Sequence, residues 1–271
     1  MRIALTGASG NFGREFRTQA DGDVIAINRG DWDGIAAILS RGVDVVIHAA
    51  SDLQSSVSCS PVKMLDSNLV STARLLEAMK THEIPRLIFM SSCAVYGDSI
   101  DSSESGYCNP VSINGVCKLL NEKIISDFCR SNGIKYEILR VSNMYGGTDH
   151  FSILSHIRRC LKSRTPFTLN NSGIAQRDFI HVTDVAAIVL QLITIDHPYT
   201  TLNIGTGIAT KISTMVDLIR ESHPELAIIN SKIRELEYSC ADISLLSSLL
   251  DYKFIKIEDY LINLFGRDLV L

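Results

Sequence analysis

Residues 2–13 read Arg-Ile-Ala-Leu-Thr-Gly-Ala-Ser-Gly-Asn-Phe-Gly. The apolar run predicts a short buried strand over Arg2–Thr6, and the glycines at 7, 10 and 13 predict a tight turn that opens a helix. Glycine lets the backbone turn sharply and lets a phosphate come close, while the following helix offers its positive N-terminal end. Phe12 and Phe16 would pin that helix to a sheet. A glycine triplet also occurs in plain turns; its place directly after a strand and before a helix is what points to dinucleotide binding. The contacts would be Gly7, Ser9, Gly10, Asn11, Phe12 and Gly13. The fold class implied is α/β, a doubly wound parallel sheet.

Working outward, Asp23–Asn28 predicts a second strand through Val24-Ile25-Ala26-Ile27. In dinucleotide folds an acidic residue at the end of this strand bonds the ribose hydroxyls and selects NAD. Here the place is Asn28, followed by Arg29. A neutral side chain beside a guanidinium suits a 2′-phosphate, so NADP is favoured over NAD, the bland alternative being that Arg29 is a solvated loop residue. A helix from about Asp33 to Ser40 leads to strand Asp44–Ile47, which ends in His48-Ala49-Ala50-Ser51.

Another apolar strand, Leu87-Ile88-Phe89-Met90, runs into Ser91-Ser92-Cys93-Ala94-Val95-Tyr96-Gly97. Its polar residues therefore sit at a strand's carboxyl end, where ligands lie in open α/β sheets. Residues 110–122, Pro-Val-Ser-Ile-Asn-Gly-Val-Cys-Lys-Leu-Leu-Asn-Glu, open a helix on which Asn114 and Lys118 share a face. Together these segments resemble the active site of the extended short-chain dehydrogenase/reductase family, which oxidises, reduces, dehydrates or epimerises nucleotide-linked sugars. That family's strand reads Ser-Ser-x-x-Val-Tyr-Gly and its helix Pro-x-Ser-x-Tyr-Gly-x-x-Lys. The tyrosine position is Asn114 here.

The resemblance implies that Ser92, with Cys93 beside it, meets the reacting sugar oxygen and that Lys118 holds the nicotinamide ribose. It also implies that His48, Ala49 and Ala50 lie along the cofactor, with His48 read as a packed structural histidine, and that Asp31 of Gly30-Asp31-Trp32 sits beside adenine. The helix and strand that usually precede that segment look shortened or absent. Asn68 to Ala78 resembles a family helix, with Leu65, Leu69 and Leu76 read as its buried face. Asn143, in Arg140-Val141-Ser142-Asn143-Met144-Tyr145-Gly146, would contact the phosphate side of the sugar nucleotide. In Arg177-Asp178-Phe179-Ile180-His181-Val182-Thr183-Asp184-Val185, Arg177 would clamp the diphosphate and Asp184 reads mainly as a helix N-cap. Leu202–Gly207 matches a strand that rejoins the main sheet. The expected organisation is 1–145 mainly an NAD(P)-binding domain and 146–271 mainly a smaller substrate-binding α/β lobe, with 200–207 returning. Helices near 213–221, 243–250 and 257–265 and a strand near 226–229 would complete that lobe, and the serine-rich 53–61 would form a loop over the substrate.

The 271 residues are 46% hydrophobic and 21% charged, enough for a sizeable core. A net charge of −4 without a basic run argues against nucleic acid or an anionic membrane as partner. Val185–Ile195 is too short to span a bilayer and contains Gln191. The start runs straight into a strand without a signal peptide, so a cytoplasmic location is expected. Seven scattered cysteines without a C-x-x-C pair suit reduced thiols and no metal. Val116, Leu120, Ile124 and Phe128 form an apolar stripe; the resemblance implies a homodimer through such helices, and core packing would produce the same stripe.

Asn114 sets the functional question. A phenol can relay a proton to a sugar oxygen while hydride moves to or from nicotinamide; an amide hydrogen-bonds but does not titrate. Tyr96, Tyr107, Cys93, Cys117 and a water held by Asn114 and Ser92 are the candidate substitutes, Tyr96 being already part of the family's Val-Tyr-Gly. Two readings follow. One is an enzyme on a nucleoside diphosphate sugar, a 4-keto reductase or epimerase/dehydratase in polysaccharide precursor synthesis. The other is a catalytically silent relative that binds NAD(P) or nucleotide as a sensor or partner subunit.

Overall fold

A computed structural model of the chain describes residues 1–52, 60–99 and 102–266. Its central sheet has six parallel strands: β1 (Arg2–Thr6), β2 (Asp23–Ile27), β3 (Val45–His48), β4 (Arg86–Ser92), β5 (Lys135–Val141) and β9 (Thr201–Ile204). Their order is β2-β1-β3-β4-β5-β9. The inner strands read as continuous apolar runs because helices cover both faces, so alternation would expose nothing to water. On one face Phe12 and Phe16 of α1 (Asn11–Gln19) join Val185, Ile188 and Val189 of α6 (Val182–Leu192) over Ile3, Leu5 and Ile47. On the other, α2 (Ile35–Leu39), α3 and α4 (Ile113–Asn132) cover Ala4, Val46, Leu87 and Phe89. Helix α3 comprises Pro61–Leu65, a π-helical turn at Asp66–Val70, and Ser71–Thr81.

Only a 3-10 turn (Arg29–Gly34) and the five-residue α2 join β2 to β3, and β2 ends the order of the sheet. The chain steps from β1 to β2 and then back across to β3. The order thus reverses between β1 and β3, which opens the crevice at the carboxyl ends of those strands.

Helix α4 starts from Ser112, whose hydroxyl accepts from the Gly115 N–H at 3.1 Å, and stops at Gly133, whose φ of 68° suits glycine. A Cβ on Gly115 would lie 2.5 Å from the Ala94 carbonyl oxygen. That glycine lets the first turn of α4 press against the loop after β4, which puts Asn114 on the wall of the same cleft as Ser92.

The second lobe is built on β6 (Asn143–Tyr145), β7 (Phe167–Asn170), β8 (Gln176–His181), β10 (Ala209–Lys211), β11 (Ile228–Ser231) and β12 (Tyr238–Ser239). Helices α5 (Ile153–Ser163), α7 (Ile212–Ser222) and α9 (Ile257–Phe265) pack a separate core around Ile157, Phe167, Phe179, Val216 and Leu261, while the short α8 (Ser244–Leu249) lies nearer the main sheet, with Leu246 in its core.

Two expectations need correction. Leu65 is 45% exposed; the buried face of α3 is Asn68, Thr72, Leu75, Leu76 and Met79. The π-helical turn inserts an extra residue per turn just after Leu65 and so rotates its face outward. Of the apolar stripe on α4, Val116 and Leu120 are exposed, the core side being Cys117, Asn121, Ile125 and Cys129. Asp184 is not a cap: His181 caps α6 through its ring nitrogen on the Thr183 N–H, while the buried Asp184 accepts from Tyr252 Oη (3.0 Å) and the Ile255 N–H (2.9 Å). The serine-rich segment expected over the substrate lies mostly outside the described residues.

Candidate functional site

The turn after β1 is shaped by what surrounds it. Gly7 has φ +70°, and a Cβ there would lie 2.8 Å from the Ala50 nitrogen; a Cβ on Gly13 would collide with the Gly7 carbonyl oxygen and lie 2.7 Å from Ala8 Cα. These glycines are required by close backbone approach. Helix α1 opens from Gly10 with no side-chain cap and no acid in its first turn, leaving its positive end to an anion. Asn11 reaches across to the second lobe: its amide donates to the Gly146 carbonyl (3.0 Å) and its oxygen accepts from the Thr148 N–H (2.7 Å).

Not every residue expected at the cofactor faces the cleft. Gly7, Gly10, Asn11, Phe12, Gly13, Arg29 and Ala49 line it; Ser9, Asn28, Asp31, His48 and Ala50 do not. Asp31 closes its own turn by accepting from the Asn28 N–H at 2.7 Å. Ala50 donates its N–H to Thr6 Oγ1. His48 is buried behind the wall between Thr6 Oγ1 (2.7 Å) and Thr72 Oγ1 (3.0 Å); burial, and then the charge of Lys118, lower its pKa to about 3, so the ring is neutral. The Arg29 side chain is 80% exposed, 3.8 Å from the Asp52 carboxylate.

Ser92, Asn114 and Lys118 line the middle of the same cleft. Ser92 ends β4, and its oxygen accepts from the Ala94 N–H at 3.2 Å, which leaves the hydroxyl proton free to turn to the cleft. The Lys118 ammonium donates to the Met90 carbonyl at 2.7 Å and lies 4.9 Å from the centre of the Phe89 ring. Burial lowers its pKa to about 8, against the opposing charge of Glu122. Cys93 turns its thiol to the Arg140 carbonyl (3.2 Å), and burial raises its pKa to about 12.

The second lobe supplies the far wall. Arg177 donates to the carbonyls of Gln176 (2.8 Å) and Leu236 (2.5 Å), with the Glu235 carboxylate 3.8 Å away, and Asn143 donates to the Asp178 carbonyl at 3.0 Å. Both line the cleft, which is one continuous cavity of about 1070 Å³ from the glycine turn to β7.

Two supporting groups escaped the sequence reading. Glu122 and Arg140 form a buried pair (Nη2–Oε2, 2.8 Å) that also binds Ser91 Oγ and Tyr96 Oη. Asp178 accepts from Ser142 Oγ, the Thr206 N–H and hydroxyl, and the Gly207 N–H, tying β8 to the loop after β9. The partners of these buried charges come from other elements of the chain and leave no spacing signal in a single sequence.

The model of the NAD dependent epimerase/dehydratase family matches residues 3–205. A Methanocaldococcus jannaschii protein provisionally assigned as a UDP-glucose 4-epimerase is 34% identical over 190 residues, 66% of this chain and 61% of that protein. The chain thus spans less than two thirds of that relative's length. The UDP-glucose epimerase YtcB of Bacillus subtilis, itself uncharacterized, is 31% identical over 80% of this chain and 71% of its own. Among solved structures, the UDP-glucose 4-epimerase of Thermotoga maritima with UDP-glucose shares the fold with a TM-score of 0.86 at 21% identity, covering 96% of each chain. A match over most of the sequence, in the stretch that builds the glycine turn and the Ser92–Lys118 wall, places the chain in the NAD dependent epimerase/dehydratase family.

Proposed function

We propose that this protein is an NAD(P)-dependent enzyme that acts at C4 of a nucleoside diphosphate sugar, as an epimerase or a 4-keto reductase. One observation carries the reading: a single cavity joins the glycine turn, Ser92 with Asn114 and Lys118, and Arg177 with Asn143. The first end fits a dinucleotide, because side chains are excluded where a pyrophosphate would approach and a helix N-terminus faces it. A bound nicotinamide supplies the hydride acceptor or donor. The chain supplies the rest. Ser92 offers its hydroxyl to the sugar oxygen, and Lys118 has two N–H groups left after bonding Met90, one of which suits a ribose hydroxyl. Arg177, fixed by two carbonyls, presents positive charge to the diphosphate.

Arg29, exposed on the cleft wall beside the neutral Asn28, supports NADP over NAD. Exposed Val62 and Leu65 of α3 and Val116 and Leu120 of the neighbouring α4 support a homodimer through these helices. No helix among the described residues is long and apolar enough to cross a membrane, and the six cysteines described are all free thiols, which supports a reducing, cytoplasmic setting. Stopped-flow absorbance of NADPH and NADH, mixed with 4-keto sugar nucleotides, tests the activity. Saturable oxidation of the cofactor is expected. Tight cofactor binding with no turnover across the panel, by the protein and by Asn114→Tyr alike, would overturn it.

A further inference from the structure

The site has an amide where the family's pattern places its proton-transferring phenol, and the geometry removes most substitutes. Tyr96 Oη donates to Asn203 Oδ1 (2.7 Å) and accepts from Arg140 (3.0 Å), with its ring buried. Tyr107 is 82% exposed and lines no part of the cleft. Cys117 is buried, away from the cleft wall, and burial raises its pKa, while the Cys93 thiol is turned to a backbone carbonyl and stays protonated. His48 lies behind the wall with both ring nitrogens bonded to threonines. Among the described side chains around Ser92 and Asn114, one titratable group of the cleft wall remains: Lys118, one helical turn from Asn114 on the same face.

We propose that Lys118 is itself the acid–base group of this active site, giving its proton to the sugar oxygen that Ser92 and Asn114 hold. The inference rests on the nucleotide-sugar reading above. In the reducing direction, hydride from reduced nicotinamide, which is thereby oxidised, adds to the carbonyl carbon. The C=O π bond breaks toward oxygen, and that oxygen takes a proton from the ammonium through an N–H bonded neither to Met90 nor to the ribose. Lysine is left as a neutral amine and recovers its proton from water; oxidation of the alcohol runs the same steps backward.

The surroundings suit that role. Lys118 is faced by neutral His48 from β3, by the Phe89 ring and the Met90 carbonyl from β4, and by Cys117 and Glu122 on its own helix. The only full opposite charge among these, Glu122, is engaged by Arg140 at 2.8 Å. Burial therefore dominates and brings the ammonium to about 8, where it both gives and regains a proton near neutrality.

The test compares the parent protein, Lys118→Arg, Asn114→Tyr and the double variant. In ¹⁵N NMR of lysine side chains, without cofactor, one Nζ signal absent from Lys118→Arg should titrate near pH 8. A Lys118 signal that titrates at pH 10 or above would overturn the proposal whatever the substrate is. In single turnovers with saturating reduced cofactor, the parent's rate should fall as pH rises through about 8. Lys118→Arg keeps the cation but cannot release its proton, and should be roughly 10²–10⁴-fold slower at equal cofactor occupancy. The double variant, with a phenol restored, should regain rate. Lys118→Met serves if the arginine variant does not fold, and rescue by added methylamine would support the assignment. Turnover by Asn114→Tyr but not by the parent would sink the lysine role and leave the nucleotide-sugar reading intact. Silence in both would remove the two together.

Discussion

Replacing Glu122 by glutamine should destabilise this protein strongly, although Glu122 touches no ligand. Its carboxylate receives Arg140 Nη2 at 2.8 Å and Nε at 3.2 Å, together with the Ser91 hydroxyl, and both charged side chains are more than nine-tenths buried. Glutamine keeps the shape but removes the charge and turns one acceptor into a donor that faces a guanidinium. Arg140 cannot neutralise itself and has no other carboxylate within bonding distance among the described residues; its remaining bonds go to Tyr96 Oη and the Glu104 carbonyl. Breaking a buried pair from one side costs about 3–5 kcal/mol. At roughly 2–4 °C per kcal/mol for a chain near this size, the melting temperature should fall by ~6–20 °C.

Urea titration and thermal melting at pH 7 measure the loss, with the exposed Glu77→Gln as a control that should stay within ~0.5 kcal/mol. Glu122→Leu combined with Arg140→Met should recover much of it, since an apolar pair of similar volume needs no compensation for lost hydration. Glu122 also raises the pKa of Lys118, so Glu122→Gln should shift that lysine's titration further down from about 8. If Glu122→Gln melts within about 1 kcal/mol of the parent, the pair is not held as described and the argument from burial fails.

Three further outcomes are expected. Gly7→Ala forces a side chain into φ +70° and against the Ala50 nitrogen, so isothermal titration should find cofactor affinity lowered by roughly tenfold or more, about 1.4 kcal/mol. If Arg29 meets a 2′-phosphate as proposed, Arg29→Glu removes a charge-assisted partner of about 1.5–3 kcal/mol and should shift the ratio of NADP to NAD dissociation constants toward NAD by roughly ten- to a hundredfold; an unchanged ratio would remove the proposed role of Arg29. Lys118 has its folded pKa lowered from 10.5 to about 8, so between those values the unfolded chain binds more protons. Its contribution to stability therefore rises with pH across that window, by at most on the order of 3 kcal/mol, and urea midpoints from pH 8 to 10 should lose that rise in Lys118→Met.

What could be seen in the sequence divides along the range of the contacts involved. The glycine turn, the Ser92 strand end and the Asn114–Lys118 helix face are each written within a dozen residues, because a strand end or a helical turn places neighbours in sequence side by side. The shortened link after β2 was visible for the same reason. The face of α3 was misread because the π-helical turn at Asp66–Val70 breaks the 3.6-residue period on which such a reading depends. Asp184 looked like a cap because it stands near a helix start; its true partners, Tyr252 and Ile255, come from far along the chain. Asn114 belongs to both classes. Its identity could be read directly, but the substitutes for the missing phenol could be weighed only once the fold had put Tyr96 against Asn203, Cys93 against a carbonyl and His48 between two threonines. That elimination among the described side chains turns the substitution into a specific expectation about Lys118, which both reaches the cleft and titrates, to be weighed against a water held by Asn114 and Ser92.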